Sequence, residues 1–319
     1  ENQLPYLDTV KYLIIPDVST RLAALRTSRI DWLSGVLWED ADSLMETNPQ
    51  LKHSEVPSQM PPAIMWRVDK PELPYHDIKV RQALFMAVDH ESIAEEFYGG
   101  HATIHDFPAL DIPEFSAFYI KPEERSPVAR KMYGYYPEEA KQMLAEAGYP
   151  DGFKMKVVCY TAQVDLLSIV KDNMAKVGVD LEIDVKEYGA YSSIGQGKQY
   201  DVYMNSSYPV APEQFSRDRF GNVDNYSMIA DDRIEEAYNG IKANFFNADK
   251  KAEIYRNIHP YMIEQAYYLV LPGPSDSTFW QPWIKSYQGE RYIGTWAKEF
   301  NFPQWIWLDQ DMKKEMTGR

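Results

Sequence analysis

Residues 136–153 read YPEEAKQMLAEAGYPDGF, residues 154–160 KMKVVCY, residues 165–188 DLLSIVKDNMAKVGVDLEIDVKEY, and residues 200–208 YDVYMNSSY. Pro137 sits where a first helical turn tolerates a missing N–H, and Glu138 and Glu139 lie at the positive helix end. Ala140, Met143, Leu144 and Ala147 recur at helical spacing and form an apolar stripe. Gly148 reads as a helix-ending residue, and Pro150-Asp151-Gly152 as a turn. Residues 153–160 are strand-like. Leu166, Leu167, Ile169, Val170, Met174 and Val177 suit a second helix closed by Gly178. Val179, Leu181, Ile183 and Val185 then alternate with Asp180, Glu182, Asp184 and Lys186, which predicts a half-buried strand with one wet face. Two strands joined by a crossover helix favour a parallel pair, so the stretch is a β-α-β module.

Outward from this module the signals are shorter. Residues 4–16 read as an extended entry and a strand. Asp17 or Ser19 can cap a helix through Arg29. Ile30-Asp31-Trp32 leads into a short strand, and residues 39–47 look helical. Ala63–Val68 is strand-like amid Pro57, Pro61, Pro62, Pro71 and Pro74, a density that marks a boundary or hinge. Asp77–Val88 is amphipathic, Asp89 can cap the next helix, and Gly99-Gly100 ends it. Residues 101–134 lack periodicity and read as a long surface excursion. Residues 209–229 are loop-like. Asp231–Ala243 and Ala248–Ala266 are helical, with Pro260 bending the second. Tyr268–Leu271 is a strand cut off by Pro272-Gly273-Pro274, and the tail is β-rich. The Pro-rich boundaries near 70 and 272 predict two domains, residues 71–271 and a unit made from residues 1–70 and 272–319.

The chain has 319 residues, 45% hydrophobic and 25% charged, which suits a soluble globular protein of one large or two ordinary domains. Its net charge of −15 argues against nucleic acid and against anionic membrane surfaces. The single cysteine, Cys159, excludes an intramolecular disulfide framework and any cysteine-based zinc site, and its apolar strand predicts a buried thiol. No stretch approaches the roughly 20 apolar residues that span a bilayer. The abundance of tyrosine (23) and tryptophan (8) fits either a large core with a tyrosine-rich surface or an aromatic-walled ligand cleft. The chain shows no signal peptide, and its start at ENQLPYLD reads as a mature or truncated end.

Several segments, in order, resemble one family. LPYLDTVKYLIIPDVSTRLAALRTSRIDW (4–32) looks like the segment closing its first lobe. KVRQALFMAVDHESIAEEFYGG (79–100) looks like the helix pair opening its second lobe. YPEEAKQMLAEAGYPDGF is its most specific motif, VGVDLEIDVKEYGAY (177–191) and YDVY (200–203) continue the order, and QPWIKSYQG (281–289) resembles the closing strand. The family is extracellular solute-binding protein family 5, the peptide/nickel-type substrate-binding proteins of ABC transporters. The resemblance implies an α/β fold: a periplasmic-binding-protein-like lobe (type II, cluster C) with a β-α-β core, plus an incomplete partner lobe. Family members carry a further N-terminal part before the PYLD segment, so the first lobe is expected to expose apolar surface. The implied function is capture of a small solute, an oligopeptide or another small organic molecule, between two lobes and delivery to an ABC membrane permease. The implied protein is a non-enzymatic monomer in the periplasm or extracellular space, free or lipid-anchored in the full-length form, with no cofactor, metal or nucleic acid.

In peptide-binding relatives the loop after the YDVY-like strand carries a tryptophan and then an aspartate that meets the peptide amine. Here that loop supplies Asn205, Ser206, Ser207, Tyr208 and Phe215. Tyr208 stands in for the aromatic, and no aspartate occupies the anchor region. A buried ammonium without a carboxylate partner is costly. The relatives' carboxylate-binding arginine also has no counterpart near Tyr160 and Thr161, so the resemblance points to a neutral or weakly charged solute. Trp66 and Arg67 sit beside the first proposed crossing. Arg67 either reaches a ligand carboxylate bidentately or bridges the two lobes. Trp38 is a candidate wall from the first lobe, and Tyr160, with Tyr188 and Tyr191 behind it, from the second. His101 and His105 have HxxxH spacing, but a Gly-Gly start and Thr103-Ile104 argue against the helix a metal site needs. There is no G-x-S-x-G, P-loop or glycine-rich dinucleotide turn. Adjacent acidic pairs such as Glu95-Glu96, Glu123-Glu124 and Glu235-Glu236 do not converge on a helix. A glycoside hydrolase is the rival class, because aromatics with carboxylates also suit sugars.

Overall fold

The structure is a computed structural model that describes residues 3–57, 60–104, 116–206, 217–289 and 302–318. The chain divides into two compact units, Glu1–Pro57 with Ser275–Arg319, and Ser58–Pro274.

In the smaller unit, helix α1 (Val18–Arg26) is capped by Asp17, whose carboxylate accepts from the Thr20 N–H at 2.7 Å. Strand β1 (Trp32–Val36), helix α2 (Trp38–Thr47) and strand β2 (Lys52–Val56) follow. Strand β10 (Asp276–Trp280) pairs antiparallel between β1 and β2. Leu22, Leu25, Leu44 and Phe279 fill the space between this sheet and its helices. β11 (Ile284–Lys285) and β12 (Trp307–Leu308) form a small pair beside a cluster of Trp280, Trp283, Ile284, Tyr287 and Ile306. The tail, read from sequence as β-rich, then ends in a helix, α11 (Gln310–Thr317), capped by Asp309. Residues 4–16 form no strand either. They have no pairing partner among the described strands. Most of their apolar side chains stay exposed, Ile14 at 96%, while Leu7 packs against that cluster beside a groove of about 660 Å³ lined by Leu7, Trp32, Ile284 and Ile306 among others.

The larger unit is built on a five-stranded sheet of order β6-β5-β7-β3-β8. It begins with β3 (Pro62–Trp66), α3 (Ile78–Met86) and α4 (His90–Ser92), the last continuing as one wide turn over Ile93–Phe97. β4 (Ala102–Thr103) and α5 (Pro127–Met132) interrupt the stretch expected to be irregular; Ser126 caps α5 and Pro127 starts it. The central module folds as α6 (Pro137–Glu146), β5 (Phe153–Tyr160), α7 (Val164–Lys176) and β6 (Val179–Lys186). The two strands pair parallel from Phe153↔Val179 to Tyr160↔Lys186. The turn before β5 demands glycine: at Gly152 (φ +73) a Cβ would fall 1.8 Å from the Gly178 carbonyl oxygen. α8 (Tyr188–Gln196) and β7 (Val202–Ser206) follow, then α9 (Asp232–Ala243), α10 (Ala248–Gln265), β8 (Tyr268–Val270) and β9 (Gly273–Pro274), which pairs with β4.

Alternation along the strands divides the sheet into two faces. Val157, Cys159, Val202, Met204, Ile64 and Trp66 point to one face, where α3, α6 and α7 cover them. The buried Cys159 thiol is pushed up to about 11 by that burial. On the opposite face, Met65, Tyr268 and Val270 pack against α9 and α10. Beside them, Val158 and Tyr203 meet α8 instead. Among the described residues no helix is long and apolar enough to cross a membrane.

Candidate functional site

Connections leave β5 in one direction and arrive at β7 from the other. From β5 the chain passes through α7, on the first face, to β6. From β6 it returns through α8, on the opposite face, across to β7. β5 and β7 are therefore neighbours whose connecting helices lie on opposite faces. Open α/β sheets bind ligands at such a switch point, outside the carboxyl ends of the strands. Here those ends are Tyr160 on β5 and Asn205-Ser206 on β7.

The aromatic density of the chain concentrates at this place. Tyr191 of α8 stacks on Tyr203 of β7 (centroids 4.6 Å apart, 14° between planes). Tyr203 in turn stacks on Tyr200 at 4.8 Å and on Tyr226 at 5.5 Å. Each inner hydroxyl is tied to backbone: Tyr191 donates to the Met204 carbonyl at 2.8 Å, Tyr203 to Tyr191 at 3.2 Å, and Tyr200 to Tyr226 at 2.7 Å. Burial holds these three phenols well above the ordinary tyrosine range. Gly195 lets α8 approach, because a Cβ there would lie 2.4 Å from the Tyr203 hydroxyl oxygen. At the deep end, Lys198 sits 3.8 Å above the Tyr226 ring and donates to the Val223 carbonyl at 2.7 Å. Desolvation lowers its ammonium to about 8.

At the carboxyl end of the strands the stack opens. Tyr160 meets Tyr188 edge-to-face at 5.3 Å and Tyr191 at 4.9 Å. Tyr160 is half-buried and Tyr188 is 63% exposed. Neither hydroxyl has a hydrogen-bond partner among the described residues. Gln163, just after β5, accepts from the Tyr160 N–H at 3.2 Å and donates to the Met204 carbonyl at 3.3 Å. The charged groups of the same face are paired: Lys70 with Asp201 at 2.5 Å and Lys156 with Asp184 at 3.3 Å toward the other end, and Lys186, level with Tyr160 at the carboxyl end, with Asp184 at 2.7 Å. The carboxyl end thus presents two phenols, without a hydroxyl partner among the described residues, on a fixed aromatic floor.

The structure brings together five of the residues singled out from sequence, Tyr160, Tyr188, Tyr191, Asn205 and Ser206, the last two half-buried at the end of β7. Ser207, Tyr208 and Phe215 lie outside the described residues, as does His105. Trp66 is not a cleft wall. It is fully buried in the core, its indole N–H donating to the Ala266 carbonyl at 3.0 Å and its ring stacked on Tyr75. Arg67, a candidate for a ligand carboxylate or for a bridge between lobes, spends its described hydrogen bonds inside the larger unit. Its guanidinium grips both carboxylate oxygens of Asp69 at 2.6 Å and donates to the Lys198 carbonyl at 2.8 Å, all within the larger unit. Trp38 is the first residue of α2, half-buried in the smaller unit. Tyr188 was a secondary candidate and proves the most exposed ring of the site. Gln163 gave no sequence signal beyond its place between a strand and a helix.

Comparison with known proteins gives consistent results. The family model described as bacterial extracellular solute-binding proteins, family 5 Middle, matches residues 1–224. The glutathione-binding protein GsiB of Escherichia coli strain K12 is 27% identical over 198 residues, 61% of this chain and 36% of the relative. The chain therefore spans little more than a third of the length of that curated relative. Among solved structures, DppA of Helicobacter pylori in complex with the peptide STSA superposes with a TM-score of 0.71 at 21% identity, over 92% of this chain and 56% of that one. AppA of Bacillus subtilis in complex with a nonapeptide superposes with a TM-score of 0.69 at 23% identity, over 95% and 61%. These structures are type II periplasmic binding proteins, which establishes the fold class. The relatives are substrate-binding proteins, and a glycoside hydrolase finds no support among them. With its family model matched over more than half its length, the chain belongs to the bacterial extracellular solute-binding proteins, family 5.

Proposed function

We propose that this chain is the solute-binding part of an ABC importer, without catalytic activity. It captures a small organic solute outside the cell, as a monomer, and delivers it to the membrane permease. A lipid anchor on the full-length protein would keep it near that permease. The crevice at the carboxyl ends of β5 and β7 receives the solute. The observation that supports this reading is the pair of phenols, Tyr160 and Tyr188, whose hydroxyls have no partner among the described residues, on a rigid tyrosine floor at a topological switch point. Two such hydroxyls and two ring faces, with the nearby charges already paired, favour a neutral or weakly charged solute with a flat apolar face. A peptide α-amine is a poorer fit, because the anchor region of residues 205–215 contains no aspartate for it.

Thermal denaturation of the purified chain with a small panel tests this. The panel contains glutathione, the peptide STSA and a neutral ring-bearing solute, phenyl β-glucoside. A ligand at one hundred times its Kd stabilises the folded state by about 2.7 kcal/mol. The neutral ring compound is expected to raise the midpoint and be recovered chemically unchanged. Stabilisation by the peptides alone would overturn the solute class. Turnover of the glucoside would overturn the assignment as a binding protein.

A further inference from the structure

We propose that Gln163 is a spacer that holds the carboxyl ends of β5 and β7 apart and so sets the width of the solute crevice. This rests on the reading of that crevice as the binding site. The parallel ladder between β5 and β7 runs through Val157↔Val202 and Val158↔Tyr203 and stops there. Both strands continue, β5 to Tyr160 and β7 to Ser206. The splay is local to this one gap. On its far side β5 stays paired with β6 as far as Tyr160↔Lys186, and β7 stays paired with β3 as far as Ser206↔Pro62.

The Gln163 side-chain amide fills the rung that the strands leave open. Its carbonyl oxygen takes the Tyr160 N–H at 3.2 Å, and its NH₂ group gives to the Met204 carbonyl at 3.3 Å. A side-chain amide has the same donor and acceptor as a peptide group. One such amide therefore satisfies both backbones while keeping them about one peptide group farther apart than a direct rung would. The Tyr191 hydroxyl, donating to the same Met204 carbonyl at 2.8 Å, fixes the β7 side to the aromatic floor. The spacer thereby positions Tyr160, whose ring packs edge-to-face on Tyr188. Gln163 is a positioning residue, acting on the solute through Tyr160 and Met204.

Three variants test the proposal: Gln163→Leu, which keeps the size but not the polar atoms, Gln163→Glu, and Gln142→Ala as a surface control. The first readout needs no ligand. Hydrogen exchange of the Tyr160 amide is expected to accelerate at least about tenfold in Gln163→Leu, the equivalent of one lost hydrogen bond, and to stay unchanged in Gln142→Ala. The second is equilibrium dialysis with 2-naphthol, a neutral two-ring phenol, with Tyr188→Ala locating the probe. Gln163→Leu is expected to weaken binding about tenfold. Gln163→Glu has the sharpest signature. A carboxylate cannot donate to the Met204 carbonyl, whereas a protonated carboxyl supplies one donor and one acceptor. Its binding should therefore recover as pH falls toward the ordinary glutamate range, about 4.3, measured against the parent at each pH. Unchanged Tyr160 exchange in Gln163→Leu overturns the spacer. Faster exchange with unaltered dialysis overturns its role in the crevice. If the parent binds no 2-naphthol, or Tyr188→Ala binds it equally, the site reading falls while exchange still decides the spacer.

Discussion

Lowering the pH from about 6.5 to about 4 should set three buried groups of the larger unit against one another. His90 is buried against Phe85 (5.1 Å, edge-on) and Tyr133, and neither ring nitrogen has a hydrogen-bond partner among the described residues. Burial depresses it to about 4 despite the neighbouring Asp89. His259 on α10 is likewise depressed to about 4 by burial, and Arg125 and Arg256 push the same way. An unfolded histidine titrates near 6.5. Between those values the unfolded chain binds two more protons than the folded one, so stability present above about 6.5 is lost as pH falls to about 4. Asp218 runs oppositely. Its carboxyl is fully buried, held by the Tyr268 hydroxyl with one oxygen unpartnered, and raised to about 7. The folded chain keeps that proton where the unfolded one releases it, so this group's penalty is relieved as pH falls from about 7 to about 4. Each group contributes a slope of about 1.4 kcal/mol per pH unit. Urea denaturation across this window should therefore show Asp218→Asn losing stability more steeply than the parent by about that slope. His90→Phe should lose it less steeply by the same amount. Taking differences from the parent cancels the surface carboxylates. Parallel profiles for all three proteins would refute the assignment of these groups as the buried titrating set.

Gly195→Ala should destabilise the larger unit. The new methyl meets a Tyr203 hydroxyl that cannot move between its stacked neighbours, and overpacking of about 1–3 kcal/mol outweighs a helix gain of about 1 kcal/mol; a stabilised variant in urea denaturation would sink the rigid stack. Trp66→Phe leaves the Ala266 carbonyl unpaired in the core, so a loss of about 1–3 kcal/mol is expected, and a change below about 0.5 kcal/mol would place the bond in doubt. Tyr188→Ala should leave stability within about 0.5 kcal/mol while weakening solute binding by about 2–10-fold, the worth of one aromatic contact; full retention of affinity by titration calorimetry would remove Tyr188 from the site.

What the sequence makes legible here is periodicity and punctuation. The α6-β5-α7-β6 module could be read because Pro137, Gly148, Gly152 and Gly178 mark its ends and its apolar spacing switches from helical to alternating. α8 could not be read, because YGAYSSIGQ carries two glycines and two serines, poor helix formers. Its stability comes from packing on Tyr203 and from the Glu187 carboxylate, which accepts from the Gly189 and Ala190 N–H groups. α11 was hidden for a related reason: it is short and polar, and none of its residues is buried. Trp66 was misread because a proline-rich neighbourhood suggested an open crossing. The strand instead runs through the sheet interior, where alternation puts Trp66 in the core and leaves Arg67 to tie down the backbone at Lys198. Gln163 was beyond reach, since its role depends on two strands failing to pair, and pairing failure leaves no local trace in sequence.

The tyrosines show why composition alone could not choose between core and cleft. The alternatives of a large core and an aromatic cleft wall are both realised, in one continuous stack. Tyr200, Tyr203 and Tyr191 are core by burial, and each spends its hydroxyl on a backbone carbonyl. Tyr160 and Tyr188 continue the same stack and spend theirs on nothing in the described structure. A phenol inside the stack is fixed by its polar end as well as its ring, so the floor is held at both ends and resists repacking. A phenol at the mouth rests on that floor with its polar end free, which suits it to a ligand better than a flexible side chain would, because few rotamers are lost on binding. Gln163 performs the complementary task in the backbone. It holds open the one gap in the sheet where connectivity already leaves room, and the aromatic stack ends at that gap.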